Sequence, residues 1–409
     1  MQTLIQDLRY GARTLLKSPN YTLIAIITLG LGIGANTAIF SLVNTVMLRP
    51  LPVAEPERIV EVTPLGKGAS IGVFSYPFYK DLRDKNEVFD GLAAYRPAPM
   101  SLSRNGVNER VWGYLVSGNY FDMLGVRALK GRMFTQDEDR VPGANPVAVV
   151  SYGCWQRRFG ADPNLVGKTI KLNAHDFTIV GVGPEEFRGT VLIFEPEIYA
   201  PMMMAKQIAP GESNWLENRG DGGILGLGRL KQGVTTPQAR ESLNLLLAQF
   251  AREYKYLESM TFSVTPPGLV FPLVRNGTLG FAGVLMATVG LVLLIACVNL
   301  ANLLLARAAR RRKEIAIRLS LGAGRMRGDV MMLVVRQGMW LALVGLAIGL
   351  AGALVLTRLM SSVLYGVSAT DVPRFAGVTL LLGLVVFIAC YLPARRAAKV
   401  DPMVALRFE

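Results

Sequence analysis

The sequence has a single histidine and only three cysteines among 409 residues. One histidine, His175, cannot build the usual zinc site or a Ser-His-Asp triad, because no clustered cysteines or second histidine accompany it. The cysteines predict no disulfide framework, since Cys297 and Cys390 lie inside long apolar runs. Cys154 is expected to be a small buried apolar group.

Two other kinds of chemistry are missing. Residues 167–169, Gly-Lys-Thr, look like the end of a phosphate loop, but Asp162 stands where the loop requires a glycine. The acidic residues 137–139 are expected in a solvated loop, and nothing pairs them into an acid/base couple. The sequence therefore predicts a chain that is not an enzyme and holds no cofactor of its own.

Long apolar runs are what the sequence does have. They cover residues 21–47, 278–306, 338–357 and 375–393, and each is long enough to cross a hydrocarbon core of about 30 Å at 1.5 Å per residue. None contains a carboxylate, a histidine or a lysine, so no proton or ion relay is predicted inside the membrane. The first run lacks a signal-peptide cleavage site and is expected to stay as an anchor.

The net charge of +14 is concentrated in short segments beside these runs. Residues 1–20 carry three Lys/Arg against one acidic residue, residues 306–329 carry eight against two, and residues 394–409 carry four against two. The block 48–277 is nearly neutral, with 26 basic and 24 acidic residues. The basic balance is therefore explained by membrane topology and does not predict nucleic-acid binding.

The charge pattern predicts a multi-pass membrane protein. Short basic segments stay in the cytoplasm, which places both termini and the loop 307–337 inside, and the loop 358–374 outside. Residues 1–20 have a helical apolar face that suits an interfacial helix, or else an ordinary juxtamembrane helix. The block 48–277 is expected on the outer side of the membrane.

Inside the block 48–277, short β-type runs alternate with helical patterns. Strands are predicted at 59–63, 147–151, 169–172, 177–182 and 261–265. Helices are predicted at 76–85, 152–159 and 236–256. The predicted fold class is thus a membrane α-helical protein with four transmembrane helices and a large extracytoplasmic α+β domain of two subdomains.

Small residues at four-residue spacing allow two membrane helices to approach closely. Five such positions are found in the apolar runs: Gly30, Gly34, Ala38, Gly345 and Gly349. Amides also interrupt these runs, at Asn36, Asn44, Asn299 and Asn302. They predict hydrogen bonds between helices that specify packing or a dimer; the alternative is a ligand site or a conduit.

Residues 309–325 read ARRRKEIAIRLSLGAGR and closely resemble the cytoplasmic coupling motif of MacB/FtsX-type ABC transporter permeases. Residues 29–51 resemble the first span of that superfamily, and residues 393–409 its C-terminal signature. Residues 116–121, 125–126, 155–162 and 167–181 resemble the MacB periplasmic core. This resemblance implies a protein of the bacterial inner membrane with the block 48–277 in the periplasm. The whole is similar to the MacB-like permeases that are found duplicated in acidobacteria, although this chain has one unit instead of two.

The resemblance implies a separate ABC ATPase subunit, which would bind ATP and Mg²⁺, and coupling by mechanotransmission for efflux or export. Seven residues carry over to the ATPase contact: Glu314, Ile315, Arg318, Leu319, Leu321, Gly322 and Ala323. A homodimer or a pair with a related permease is implied, with a periplasmic adaptor and an outer-membrane channel as further partners.

Physically, the segment 309–325 mixes apolar and charged residues and ends at glycines, which suits a short helix docked in a partner's groove. A basic topological anchor with nothing docked is the plainer alternative. Two other functions stay open: an FtsX-like regulator of an extracytoplasmic enzyme, and a membrane-anchored binding or sensor protein without an ATPase.

Overall fold

The structure is a computed structural model that describes residues 19–43, 51–66, 72–104, 106–191, 195–211, 214–267 and 272–310, and also residues 343–344, 347–352, 355, 384 and 387–388. The chain divides into two compact units. One is Val46–Leu279, and the other joins Met1–Thr45 to Gly280–Glu409. For the first unit the sequence predicts the bounds 48–277.

The Val46–Leu279 unit is an α+β domain. Its strands are β1 (Ile59–Gly66), β2 (Phe89–Arg104), β3 (Val107–Val116), β4 (Lys130–Gly131), β5 (Val147–Val150), β6 (Thr169–Leu172), β7 (His175–Val182), β8 (Ile198–Pro201), β9 (Leu225–Leu230) and β10 (Met260–Thr265). Its helices are α2 (Tyr76–Lys85), α3 (Tyr120–Leu124), α4 (Tyr152–Phe159), α5 (Ala205–Ile208) and α6 (Thr236–Ala251).

All ten strands join one sheet in the order β10-β1-β9-β2-β3-β8-β5-β7-β4, and β6 pairs with β2 and β7. Most neighbours are antiparallel, whereas β3–β8 and β5–β7 are parallel. Strands β1 and β10, which are far apart in sequence, lie side by side at one end of this order.

Apolar residues cover both faces of the sheet. Successive residues of a strand point to opposite faces, so Val60 joins one buried cluster and Ile59 the other. The larger cluster contains residues of β1, β2, β5, β7 and β10. One sheet therefore runs through the block with a buried apolar cluster on each of its faces. The division into two subdomains stays a prediction.

Two helices begin and end where local chemistry dictates. In α2, Ser75 precedes the first turn and Pro77 lies within it, where its missing N–H is not needed. In α4, the Ser151 hydroxyl accepts a hydrogen bond from the backbone N–H of Cys154 at 3.2 Å, and Gly160 ends the helix at φ 59°. Both helices have the predicted bounds.

Two long apolar helices bracket the domain in sequence, α1 (Pro19–Val43) and α7 (Pro272–Arg310). Among the residues that the structure describes, one stretch is long and apolar enough to cross a membrane, Gly277–Asn299 in α7. A shorter apolar helical stretch, Ile26–Phe40, lies in α1. The described residues of the third and fourth predicted spans are helical. Four transmembrane helices remain a prediction.

Candidate functional site

The predicted ATPase contact falls outside the described part of the chain. It comprises Glu314, Ile315, Arg318, Leu319, Leu321, Gly322 and Ala323. Gly345 and Asn44 also lie outside it. The structure does describe the other residues that are predicted to pack helices together. It also describes β1, the first strand after α1, and β10, the last strand before α7.

Three of the predicted glycines meet within one unit. A β-carbon placed on Gly349 would lie 2.8 Å from the carbonyl oxygen of Gly30 and 3.2 Å from the backbone nitrogen of Gly34. Real β-carbons essentially never come closer than 3.0 Å to another heavy atom, so glycine is what allows this approach. Ala38, one turn further along α1, is also buried.

Asn36 joins α1 to α7. Its side-chain amide donates a hydrogen bond to the carbonyl oxygen of Val289 at 2.8 Å and another to that of Gly32 at the same distance. The neighbouring Gly32 allows close contact, because a β-carbon there would already lie 3.4 Å from the backbone of Leu293. The buried Asn36 amide thus has two hydrogen-bond acceptors within the protein, whereas lipid would offer it none. The sequence marks Asn36 as polar in the first apolar run, but gives no partner for it.

The structure does not bring Asn299 and Asn302 into this contact. Both side chains are exposed on α7, whereas the buried stripe of that helix contains Val289, Leu293 and Ala296. The two amides lie three residues apart and therefore close to one face of the helix. The predicted hydrogen-bonding role of these two amides stays a prediction.

The first and last strands of the domain are paired with each other. β1 is the first strand after α1, and β10 is the last strand before α7. They are antiparallel neighbours from the pair Glu61–Thr265 to the pair Gly66–Met260. β9 flanks β1 on its other side. The two connections to the apolar helices therefore share one end of the sheet.

A segment that resembles the MacB core, residues 116–126, contains a tight polar turn. The hydroxyl of Ser117 accepts from the backbone N–H of Ala94 at 2.9 Å, and the Asn119 amide donates to the carbonyl of Leu92 at 3.0 Å. Between them, Gly118 packs so closely against Gln136 that a β-carbon would lie 2.9 Å from its Cα. The turn thus ties β2 to the end of β3.

Asp139 fixes the same turn from the other side. Its carboxylate accepts hydrogen bonds from the backbone N–H groups of Gly118 at 3.0 Å and Met203 at 2.9 Å. Burial raises the pKa of Asp139 to about 7, even though both hydrogen bonds favour the charged form. Next to it, hydrogen bonds from Arg132 lower the pKa of Glu138. The pKa values of the adjacent carboxyl groups of Glu138 and Asp139 are therefore shifted in opposite directions.

The described residues contain no group of three or more His, Cys, Asp or Glu side chains that could hold a metal ion. Their polar contacts are hydrogen bonds and ion pairs that join elements to one another. The described part of the chain therefore offers two features: contacts among the apolar helices, and a domain whose first and last strands are paired.

Comparison with known proteins identifies both parts. Residues 22–246 match the family model of the MacB-like periplasmic core domain, and residues 286–402 match that of the FtsX-like permease C-terminal region. The first match covers more than half of the chain.

Two relatives are similar to most of this chain. The macrolide export ATP-binding/permease protein MacB of Neisseria gonorrhoeae is 25% identical over 332 residues, which cover 77% of this chain and 45% of that protein. Its namesake from Bdellovibrio bacteriovorus is 24% identical over 331 residues, covering 80% and 48%. The chain thus spans about half the length of these relatives.

A solved structure is also similar to the domain. The periplasmic region of MacB from Actinobacillus actinomycetemcomitans is 18% identical, with a TM-score of 0.38, over 52% of this chain and 89% of that one. The family itself is shown by the two family models, which match consecutive parts of the sequence, the first over more than half of it. The chain belongs to the MacB/FtsX-type family of ABC transporter permeases.

Proposed function

We propose that this chain is the permease subunit of an ABC system and that it works by mechanotransmission. ATP hydrolysis by a partner subunit would drive a conformational change in residues 48–277, outside the inner membrane, for efflux or export. The observation that carries this proposal is the pairing of β1 with β10. A displacement of either adjoining helix acts, through the chain, on the same pair of strands.

An ABC ATPase partner is proposed because both matches are to domains of ABC transporter permeases. The relatives from Neisseria and Bdellovibrio are named for ATP binding as well as for the permease. ATP and Mg²⁺ would bind to the partner. The contact would be the short basic segment 309–325, in which Ile315 and Leu321 supply apolar area and Arg318 a planar donor group.

The proposed topology has four spans with both termini in the cytoplasm, following the positions of the basic segments. Two copies, or one copy and a related permease, would form the complete membrane part. The exposed amides of Asn299 and Asn302 on α7 favour a second membrane helix as their partner. A periplasmic adaptor and an outer-membrane channel would complete an efflux system.

The experiment is to purify the full-length tagged chain from its native membrane and identify ABC ATPases that accompany it. Recombinant ATPase is then assayed with and without the chain in lipid nanodiscs. The proposal expects a co-purified ATPase and a change in its hydrolysis rate. An ATPase together with an extracytoplasmic enzyme, and no adaptor or channel, would favour the FtsX-like regulator. Absence of any ATPase would leave a binding or sensor protein.

A further inference from the structure

Residues 54–55, which lie shortly before β1, are held by an arginine of β9. The guanidinium of Arg229 donates to the carbonyl oxygen of Ala54 at 3.0 Å and to the carboxylate of Glu55 at 2.6 Å. Its Nε donates to the carbonyl of Met123 in α3 at 2.9 Å. One side chain thus fastens residues 54–55 to both a central strand and a helix.

A second arginine converges on the same carboxylate. Arg58 donates to Glu55 Oε2 at 2.8 Å, the atom that Arg229 also contacts. Arg58 further donates twice to the carbonyl oxygen of Leu230, at 2.9 and 2.7 Å, and pairs with Asp90 of β2. The two arginine side chains are only 18% and 12% exposed, whereas the Glu55 side chain is 49% exposed. The guanidinium groups are therefore held mainly by their bonds to backbone carbonyl oxygens, and the shared carboxylate stays in contact with water.

The backbone at this point is unusual. Glu55 has φ 48° and ψ 59°, a left-handed conformation that residues other than glycine rarely adopt. Its neighbour Ala54 donates its N–H to the carbonyl of Leu124 at 3.1 Å, and a β-carbon on Gly125 would lie 2.5 Å from the Ala54 side chain. Such a conformation persists only where surrounding contacts determine it.

We infer that Glu55, Arg58 and Arg229, together the Glu55 clamp, form the joint through which displacement of the chain after α1 reaches the sheet. The inference rests on the proposed mechanotransmission. If residues 54–58 were flexible, a displacement of the chain before them would change their conformation and would not reach the sheet. The clamp instead fastens residues 54–58 to β9, which lies between β1 and β2 in the sheet, and to β2 itself through Asp90. These three residues act as positioning residues.

Two variants separate this role from ordinary stabilisation. Glu55→Gln keeps the size of the side chain and removes the charge that the two arginines share. Glu55→Gly removes the side chain and suits the left-handed backbone, so the protein is expected to fold while the joint becomes flexible. Glu138→Gln is the matched control, because Glu138 also accepts from an arginine, Arg132 at 2.6 and 2.7 Å, but in another part of the domain.

The measurement uses the full chain with its ATPase in nanodiscs. A spin label is attached to Gln156→Cys, an exposed position of α4, in a background without native cysteines, and the distance between the labels of two copies is compared with and without trapped ATP. The expected result is an ATP-dependent shift in the parent protein and in Glu138→Gln, and its loss in Glu55→Gln and Glu55→Gly, with ATP hydrolysis and protein yield retained in all of them.

Each other outcome is decisive. An unchanged shift in Glu55→Gly, with normal hydrolysis, would overturn the clamp and leave the proposed function intact. Loss of the shift in Glu138→Gln as well would show that any weakening of the domain suffices, and this too would overturn the clamp. If the parent protein shows no ATP-dependent shift, the proposed function fails first, and the clamp fails with it.

Discussion

Gly34 and Gly349 meet backbone to backbone. A β-carbon on Gly34 would lie 3.0 Å from the carbonyl oxygen of Gly349, and the reverse substitution would place one 3.2 Å from the nitrogen of Gly34. Gly352, three residues further along the chain, has no heavy atom of the described residues within 4 Å of the position of its β-carbon. The two positions differ in their surroundings, and they provide a matched pair for mutation.

The glycine contact predicts that Gly349→Ala destabilises the membrane part. Forcing a methyl group into a closed contact costs about 1–3 kcal/mol, so the thermal unfolding midpoint of the detergent-purified protein should fall. Gly352→Ala should leave it unchanged or raise it slightly, since alanine favours the helix. Equal midpoints for the two variants would mean that the contact with Gly30 and Gly34 does not form.

Much of the α+β domain was predictable from local chemistry. The bounds of α2 and α4 follow from serine before the first turn, and α4 ends at a glycine. The short strands near 147–150, 169–172 and 260–265 follow from β-branched runs and are confirmed. Cys154 is buried, as expected.

The long hairpin of β2 and β3 was missed because proline argues against a strand. Pro97 and Pro99 lie in β2 after its pairing with β9 ends at Tyr95 and before its pairing with β6 begins at Leu102. Between these two pairings, that edge of β2 has no neighbouring strand among the described residues. Proline, which lacks an N–H donor, can therefore stand there without losing a strand-to-strand hydrogen bond.

The Glu55 clamp could not be predicted from the sequence. Its arginines are separated by more than 170 residues, and only the sheet brings β9 next to the segment that follows α1. Periodicity reports which face of one element is apolar. It carries no information about which distant polar side chains share a carboxylate. The same limit hides the link from Asn36 to Val289.

The exposed amides of α7 predict a dimer contact. Replacing Asn299 and Asn302 together by leucine keeps the helix apolar and removes the hydrogen bonds proposed with a second copy, each worth about 0.6 kcal/mol. Cross-linking or mass photometry in detergent should show a larger monomer fraction for this variant. Gly290→Leu, at an open position of α7, serves as the control. A dimer fraction equal to that of the parent protein would place the contact elsewhere.

The adjacent carboxyl groups 138 and 139 predict opposite pH effects. Burial raises the pKa of Asp139 from 3.8 to about 7. Between these values the folded protein binds a proton that the unfolded chain releases, so stability falls as pH rises through this window. Asp139→Asn should flatten that fall, although the amide can replace only one of the two acceptor oxygens.

Glu138 has the opposite effect on the pH dependence of stability, because Arg132 lowers its pKa. Its contribution is present above the ordinary glutamate pKa of about 4.5 and is lost as pH falls below it. Glu138→Gln should therefore destabilise the protein at neutral pH and have no effect in strong acid. Unfolding midpoints measured from pH 3 to pH 8 test both variants. Parallel curves for Asp139→Asn and the parent would contradict the raised pKa.

The basic segments predict the topology. In a background without native cysteines, Val141→Cys in the domain should react with an impermeant maleimide added to cells with a permeabilised outer membrane. Arg325→Cys, in the loop 307–337, should react only after lysis, because charged short loops stay in the cytoplasm. The reverse pattern would invert the molecule and remove the basis for a cytoplasmic ATPase contact.

The most direct test of the coupling role is the double substitution Ile315→Ala with Arg318→Ala. Truncating one buried anchor commonly costs a complex about 2 kcal/mol, roughly thirtyfold in affinity, whereas losing one of eight positive charges should not change insertion. The variant is predicted to insert normally and to neither bind nor stimulate its ATPase, while Arg327→Ala does both. Full coupled ATPase activity in the double variant would contradict the account.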